Sequence, residues 1–134
     1  MALILIVEDD PNSRKLVRDV LRIKGYQTIE TETAEEGLSL AKEKHPALIL
    51  MDIQLPGMSG IEALQQLRAD PDTMAIPVIA VTASVMTGQQ QNVLEAGFDA
   101  FEGKPVSVVA LLKKIQNLVE HASPSGRRVD LDRS

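Results

Sequence analysis

LILMDIQLPGMSG, Leu48 to Gly60, carries four apolar residues straight into an aspartate and then breaks at Pro56 and Gly57. An apolar run this short, without alternation and closed by a turn, has the pattern of a strand covered on both faces in a parallel sheet. ALILM (Ala47 to Met51), LILIV (Leu3 to Val7) and PVIAVT (Pro77 to Thr82) share this character, and so form the centre of the sheet. QTIET (Gln27 to Thr31) alternates and DAFEG (Asp99 to Gly103) is mixed, which places both nearer an edge.

The segments between these runs have helix starts. Asp10 before Pro11 supplies an N-cap and an N1 proline, and Thr33 with Glu36, Ser59 with Glu62 and Thr87 with Gln90 have capping-box spacing. Apolar residues recur at helical intervals in Leu16, Val17, Val20 and Leu21, and in Val108, Leu111, Leu112, Ile115, Leu118 and Val119. Gly25 and Gly97 stand where C-terminal caps belong. The result is a strand–helix unit repeated five times over residues 1–121, with right-handed crossovers that cover both faces of the sheet. Residues 122–134, ASPSGRRVDLDRS from Ala122, are polar and unpatterned and read as a flexible tail or linker stump.

Composition removes several functional classes. There is no cysteine, so disulfides, thiolate metal sites and Cys nucleophiles are excluded. The net charge is −5, and Arg127 and Arg128 are the only basic cluster, which argues against direct DNA binding. MALILIVEDD lacks the basic start and cleavage site of a signal peptide, and no apolar run reaches the roughly 20 residues of a membrane span. The expectation is a cytoplasmic chain without membrane insertion.

Glu8 and Asp9 follow the first strand, Asp52 closes the third, Thr82 closes the fourth, and Lys104 follows the fifth. All lie at carboxyl ends, where open α/β sheets bind ligands. Singly, each has an ordinary reading as an N-cap, a β-former or a solvated loop charge. Together, three acids, a hydroxyl and a lysine at one sheet edge point to chemistry. Crowded carboxylates without imidazole or thiolate suit a hard divalent cation such as Mg2+. Beside a metal and a lysine, one carboxylate can act as a nucleophile toward a phosphoryl group, and Asp52 is the candidate.

ILIVEDD, LILMDIQLPGMSG, VIAVTA and FEGKP at these intervals resemble the receiver domain of two-component response regulators over about residues 2–121. The wording is closest to single-domain regulators of the bacterial cell-division type. The resemblance implies a doubly wound, flavodoxin-like α/β fold whose five parallel strands run in the order 2-1-3-4-5. It implies Asp52 as phosphoacceptor and Mg2+, with Mn2+ able to substitute, held by Glu8, Asp9, Asp52 and the backbone carbonyl of Gln54. Thr82 becomes the switch hydroxyl, Ala83 the small residue beside the phosphoryl group, Lys104 its cationic partner, Pro105 the site of a cis peptide and Phe101 the switch aromatic.

It also implies a sensor histidine kinase or histidine phosphotransfer protein as donor. Output would go to a downstream protein that reads the surface of the helix after Thr87, residues 99–103 and the final helix. The chain would be a monomer or a phosphorylation-dependent dimer, and a signalling protein that catalyses only its own aspartyl phosphorylation and dephosphorylation. Glu102 departs from the apolar residue usual at its position, so it must point outward or find a cation. Gln54 and Ser84 occupy positions that tune the lifetime of the phosphorylated state.

Other classes fit less well. A dehalogenase-like phosphohydrolase needs a second acid where Gln54 stands, or where Pro11 follows Asp9. A P-loop fails because Gly97 is misplaced and Pro105 replaces Ser or Thr after Lys104. His45 and His121 sit at expected helix ends, where histidine is an ordinary C-terminal cation rather than a phosphocarrier. The closer rivals keep the fold: a receiver module excised from a hybrid histidine kinase or multidomain regulator, or a binding module that works without phosphorylation. The first expectation remains a free-standing regulator, since no second apolar pattern follows residue 121.

Overall fold

The computed structural model describes residues 2–55, 57–82, 96–104 and 106–121. Its strands are β1 (Leu3–Val7), β2 (Gln27–Thr31), β3 (Leu48–Asp52), β4 (Val78–Thr82) and β5 (Ala100–Gly103). They pair in parallel in the order β2-β1-β3-β4-β5. The helices among the described residues are α1 (Pro11–Ile23), α2 (Ala34–Lys44), α3 (Gly60–Ala69) and α4 (Val108–His121). The helix expected after Thr87 lies outside the described residues.

The parallel order explains why the central runs show no alternation. Both faces of β1, β3 and β4 are covered, so each successive side chain enters one of two cores. Leu5, Val7, Ile49, Met51, Val78 and Ala80 meet Ala34 and Ala41 of α2 and Leu64 and Leu67 of α3. Ile4, Ile6, Leu48, Leu50 and Ile79 meet Val17 and Leu21 of α1 and Leu111 and Ile115 of α4. Each large aliphatic residue buried this way contributes about 1.5–3 kcal/mol before the entropy of ordering is subtracted. Leu16, expected in the α1 stripe, is 45% exposed instead, and Val17 and Leu21 are the α1 residues buried against the sheet.

The caps expected at the three described helix starts after Asp10, Thr33 and Ser59 hold with one change. Asp10 accepts from Asn12 N at 3.2 Å and Ser13 Oγ at 2.8 Å, and Pro11 opens α1. Ser59 and Glu62 form a reciprocal box at α3, with bonds of 3.2 and 3.1 Å. At α2, Thr33 accepts from Glu36 N at 3.2 Å, but the Glu36 carboxylate accepts from Thr31 Oγ1 rather than closing the box. That bond ties α2 to the end of β2. The α2 C-terminus is capped by His45 in the left-handed region, φ 49°, just before Pro46.

At the opposite edge from the acids, Arg68 donates to the carbonyls of Met74, Ile76 and Gly97 and to Asp99 Oδ2, at 2.6–3.3 Å. Asp99 Oδ2 also accepts from Val78 N at 2.8 Å. One guanidinium thus fixes the entries to β4 and β5 relative to α3. No described helix is long and apolar enough to cross a membrane.

Candidate functional site

The sheet register assembles the site. Ile6 of β1 faces Leu50 of β3, and one step of two residues beyond this pair brings Glu8 and Asp52 to the same face on neighbouring strands. Both are buried, with 5% and 4% of their surface exposed, above an apolar hollow that Val17, Leu50, Val81 and Val106 help to line. Asp9, one residue on, is exposed. Carboxylate oxygens of Glu8, Asp9 and Asp52 lie within 4.8 Å of one another.

Lys104 bridges the two buried acids, its Nζ 2.8 Å from Glu8 Oε1 and 3.0 Å from Asp52 Oδ2. The other Asp52 oxygen accepts from Gln54 N at 2.9 Å, and Glu8 Oε2 accepts from Asp10 N at 3.1 Å. Burial is the main force on Glu8: it pushes the carboxyl up to about 7, against the pull of Lys104 and the Asp10 N–H and with added repulsion from Asp52. Burial acts on Lys104 in the opposite sense, but its contacts to Glu8 and Asp52 prevail and its pKa is raised.

Thr82, also buried, ends β4 opposite Gly103. Its carbonyl accepts from Lys104 N at 2.9 Å, so the hydroxyl-bearing residue and the lysine share a peptide hydrogen bond. Phe101 is half-buried and packs against the core on the face of Leu5 and Val7. Gln54 is exposed and enters the site through its N–H. Ala83 and Pro105 lie outside the described residues. Glu102 takes the second of its two expected alternatives: it is buried and pairs with Lys114 Nζ at 2.7 Å.

Two contributors escape the sequence reading. Arg14 Nη1 donates to the Glu8 carbonyl at 2.9 Å while its Nε lies 3.4 Å from Glu30, which fixes the β1 end against α1. The signal was its place one turn after the Asp10 cap, where an arginine can reach back over the helix start. Gly60 is the other: a Cβ there would lie 2.6 Å from the Asp52 carbonyl oxygen and 2.8 Å from Ile53 Cα. Only a glycine lets α3 begin so close beneath Asp52.

An oxygen-only donor set with one exposed and two buried carboxylates fits a hard divalent cation, and the neighbouring ammonium limits how much charge such a site accumulates. Comparisons with known proteins agree with this architecture. The response regulator receiver domain model matches residues 4–116. The polar-differentiation response regulator DivK of Brucella ovis is 44% identical over 119 residues, covering 89% of this chain and 97% of the relative. A response regulator receiver protein from Methanospirillum hungatei superposes with a TM-score of 0.84 at 32% identity, covering 94% and 99% of the two chains. The receiver domain of a sensor histidine kinase from Pseudomonas aeruginosa, crystallised with magnesium coordinated in its active-site cleft, gives 0.82 at 29%, over 89% and 98%. With a five-stranded sheet in this order and a family match across most of its length, the chain belongs to the response regulator receiver domain family.

Proposed function

We propose that this receiver accepts a phosphoryl group on Asp52 from a sensor histidine kinase or histidine phosphotransfer protein in the cytoplasm. Mg2+ would be held by Glu8, Asp9, Asp52 and the Gln54 carbonyl, as the coordinated magnesium of the Pseudomonas receiver supports. The observation that carries the reading is the bridge of Lys104 Nζ between Glu8 and Asp52. It sets a cation beside a carboxylate held rigidly at the end of a buried strand.

Lys104, together with the positive charge that a metal held by these residues would supply, offsets the charge of the transferring phosphoryl oxygens. An Asp52 oxygen forms the P–O bond as the donor's P–N bond breaks, and the electron pair returns to the imidazole nitrogen, which takes a proton from solvent. Lys104 exchanges its Asp52 contact for a phosphoryl oxygen. Thr82 donates its hydroxyl to another, Ala83 is the small residue beside the group, and Pro105 belongs to the switch. Water attacking phosphorus later releases inorganic phosphate and restores the carboxylate. The chemistry begins and ends on the protein's own side chain, so the role is signalling rather than turnover of a substrate.

The inward movement of Thr82 opens space for Phe101. A downstream protein then reads the surface of β5, α4 and the segment after Thr87. Incubation with Mg2+ and a small phosphodonor tests the reading: wild type should form an acid-stable, base-labile adduct that needs the metal, and Asp52→Ala should not. Equal labelling of both would sink it. A second reading keeps the chemistry and attaches the receiver to a larger kinase, as in the Pseudomonas receiver and in one from a Syntrophus aciditrophicus histidine kinase, 30% identical with a TM-score of 0.85. The size of the native polypeptide on a denaturing immunoblot separates the two.

A further inference from the structure

Glu102 is a carboxylate inside a sheet, on the face of β5 that meets α4. Its partner Lys114 makes three contacts with two adjacent residues of β5. Lys114 Nζ donates to Glu102 Oε1 and to the Phe101 carbonyl, both at 2.7 Å, and stands 5.6 Å from the centroid of the Phe101 ring. The other Glu102 oxygen accepts from Ser107 N at 3.4 Å, on the segment that leads from Lys104 into α4.

These contacts differ in what they demand of the aromatic ring. The ion pair and the carbonyl bond persist whatever rotamer Phe101 adopts, because they involve the backbone and a neighbouring side chain. The ring contact, by comparison, depends on the Phe101 rotamer. An ammonium anchored at two points and lying within about 6 Å of an aromatic centroid attracts the ring through its quadrupole. We propose that Glu102 and Lys114 form a latch that holds Phe101 in its resting rotamer, and that the ring must leave Lys114 when Asp52 is phosphorylated. The latch rests on the reading of Phe101 as the switch aromatic. It adds a charged pair that sets how much of the switched state exists before any phosphoryl group arrives.

The chain suits a direct test, since it contains two phenylalanines, one tyrosine and no tryptophan. In full-length protein labelled at phenylalanine, three-bond couplings give the side-chain rotamer of Phe101, and an Overhauser contact reports its ring beside the Lys114 ε-methylene. Wild type should show one predominant rotamer, a minor second one and that contact, and the balance should shift after treatment with Mg2+ and acetyl phosphate. Lys114→Met should populate a second Phe101 rotamer at least about threefold more than wild type without phosphodonor, whereas Lys114→Arg, which keeps the charge, should not. If Lys114→Met fails to fold, Glu102→Gln, which keeps the acceptor and removes the charge, should weaken the ring contact instead.

An unchanged rotamer in a folded Lys114→Met or Glu102→Gln protein overturns the latch, as does a ring that stays put while Asp52 is labelled. Failure of wild-type Asp52 to label, with the ring beside Lys114, would instead overturn the phosphoacceptor reading.

Discussion

The ammonium of Lys104 sits between Glu8 Oε1 at 2.8 Å and Asp52 Oδ2 at 3.0 Å, so a lysine following β5 joins acids carried by β1 and β3. Both acids are buried, and removing a partner from such a cluster leaves charge in a poorly solvated place. Lys104→Met should destabilise the metal-free protein by about 2–4 kcal/mol, below the fully buried limit because the lysine is itself partly exposed. Urea denaturation in EDTA measures this. Added Mg2+ should recover part of the loss, and an undisturbed midpoint in EDTA would show that the bridge contributes nothing.

Glu8 gives the metal-free protein a pH dependence of definite sign. Its pKa rises from 4.5 to about 7 on folding, chiefly through burial, so between those values the folded chain holds a proton that the unfolded chain lacks. Stability from this group is fully present below pH 4.5 and is lost as pH climbs through 7. Lys104, raised from 10.5, loses its contribution only in alkali, outside this window. The melting temperature in EDTA should therefore fall between pH 5 and 7.5 more steeply in wild type than in Glu8→Gln. Parallel profiles for the two proteins would contradict the assignment.

Metal binding should appear as stabilisation. A ligand at about 100 times its Kd stabilises the folded form by about 2.7 kcal/mol when the unfolded chain does not bind it. Mg2+ should raise the thermal midpoint accordingly. Asp9→Ala should abolish the rise while changing metal-free stability by no more than about 0.5 kcal/mol, since Asp9 is exposed. A full Mg2+ response in that variant would remove Asp9 from the ligand set.

Gly60 permits a close approach rather than an unusual backbone angle. Gly60→Ala sets a Cβ 2.6 Å from the Asp52 carbonyl and 2.8 Å from Ile53 Cα, both backbone atoms that cannot swing aside. The expected loss is about 1–3 kcal/mol, the usual scale for overpacking. Because the displaced atoms belong to Asp52 and its neighbour Ile53, labelling of Asp52 should slow as well. Thermal melts together with labelling rates check both; normal labelling in a destabilised protein would confine Gly60 to packing.

The centre of the fold was legible because burial on both faces leaves its mark in Leu3–Val7, Leu48–Asp52 and Val78–Thr82. The site was legible for a related reason: its acids, hydroxyl and lysine all end or follow strands, so order along the chain already implied nearness in space. What escaped depends on distances between elements. Nothing in the sequence says that Glu36 turns from its own helix start to Thr31, or that His45 adopts a left-handed cap before Pro46. Leu16 fits the α1 stripe, yet its exposure is decided by how α1 lies on the sheet. Glu102 was legible as a problem, but its solution, Lys114, lies twelve residues on in a different element.

The peptide hydrogen bond from Lys104 N to the Thr82 carbonyl links the two groups proposed to grip a phosphoryl group. The ends of β4 and β5 are thereby joined by a 2.9 Å backbone hydrogen bond rather than through side chains. Side-chain substitutions leave that bond in place. The coupling between the two strand ends should therefore be harder to break by mutation than either side chain is to remove.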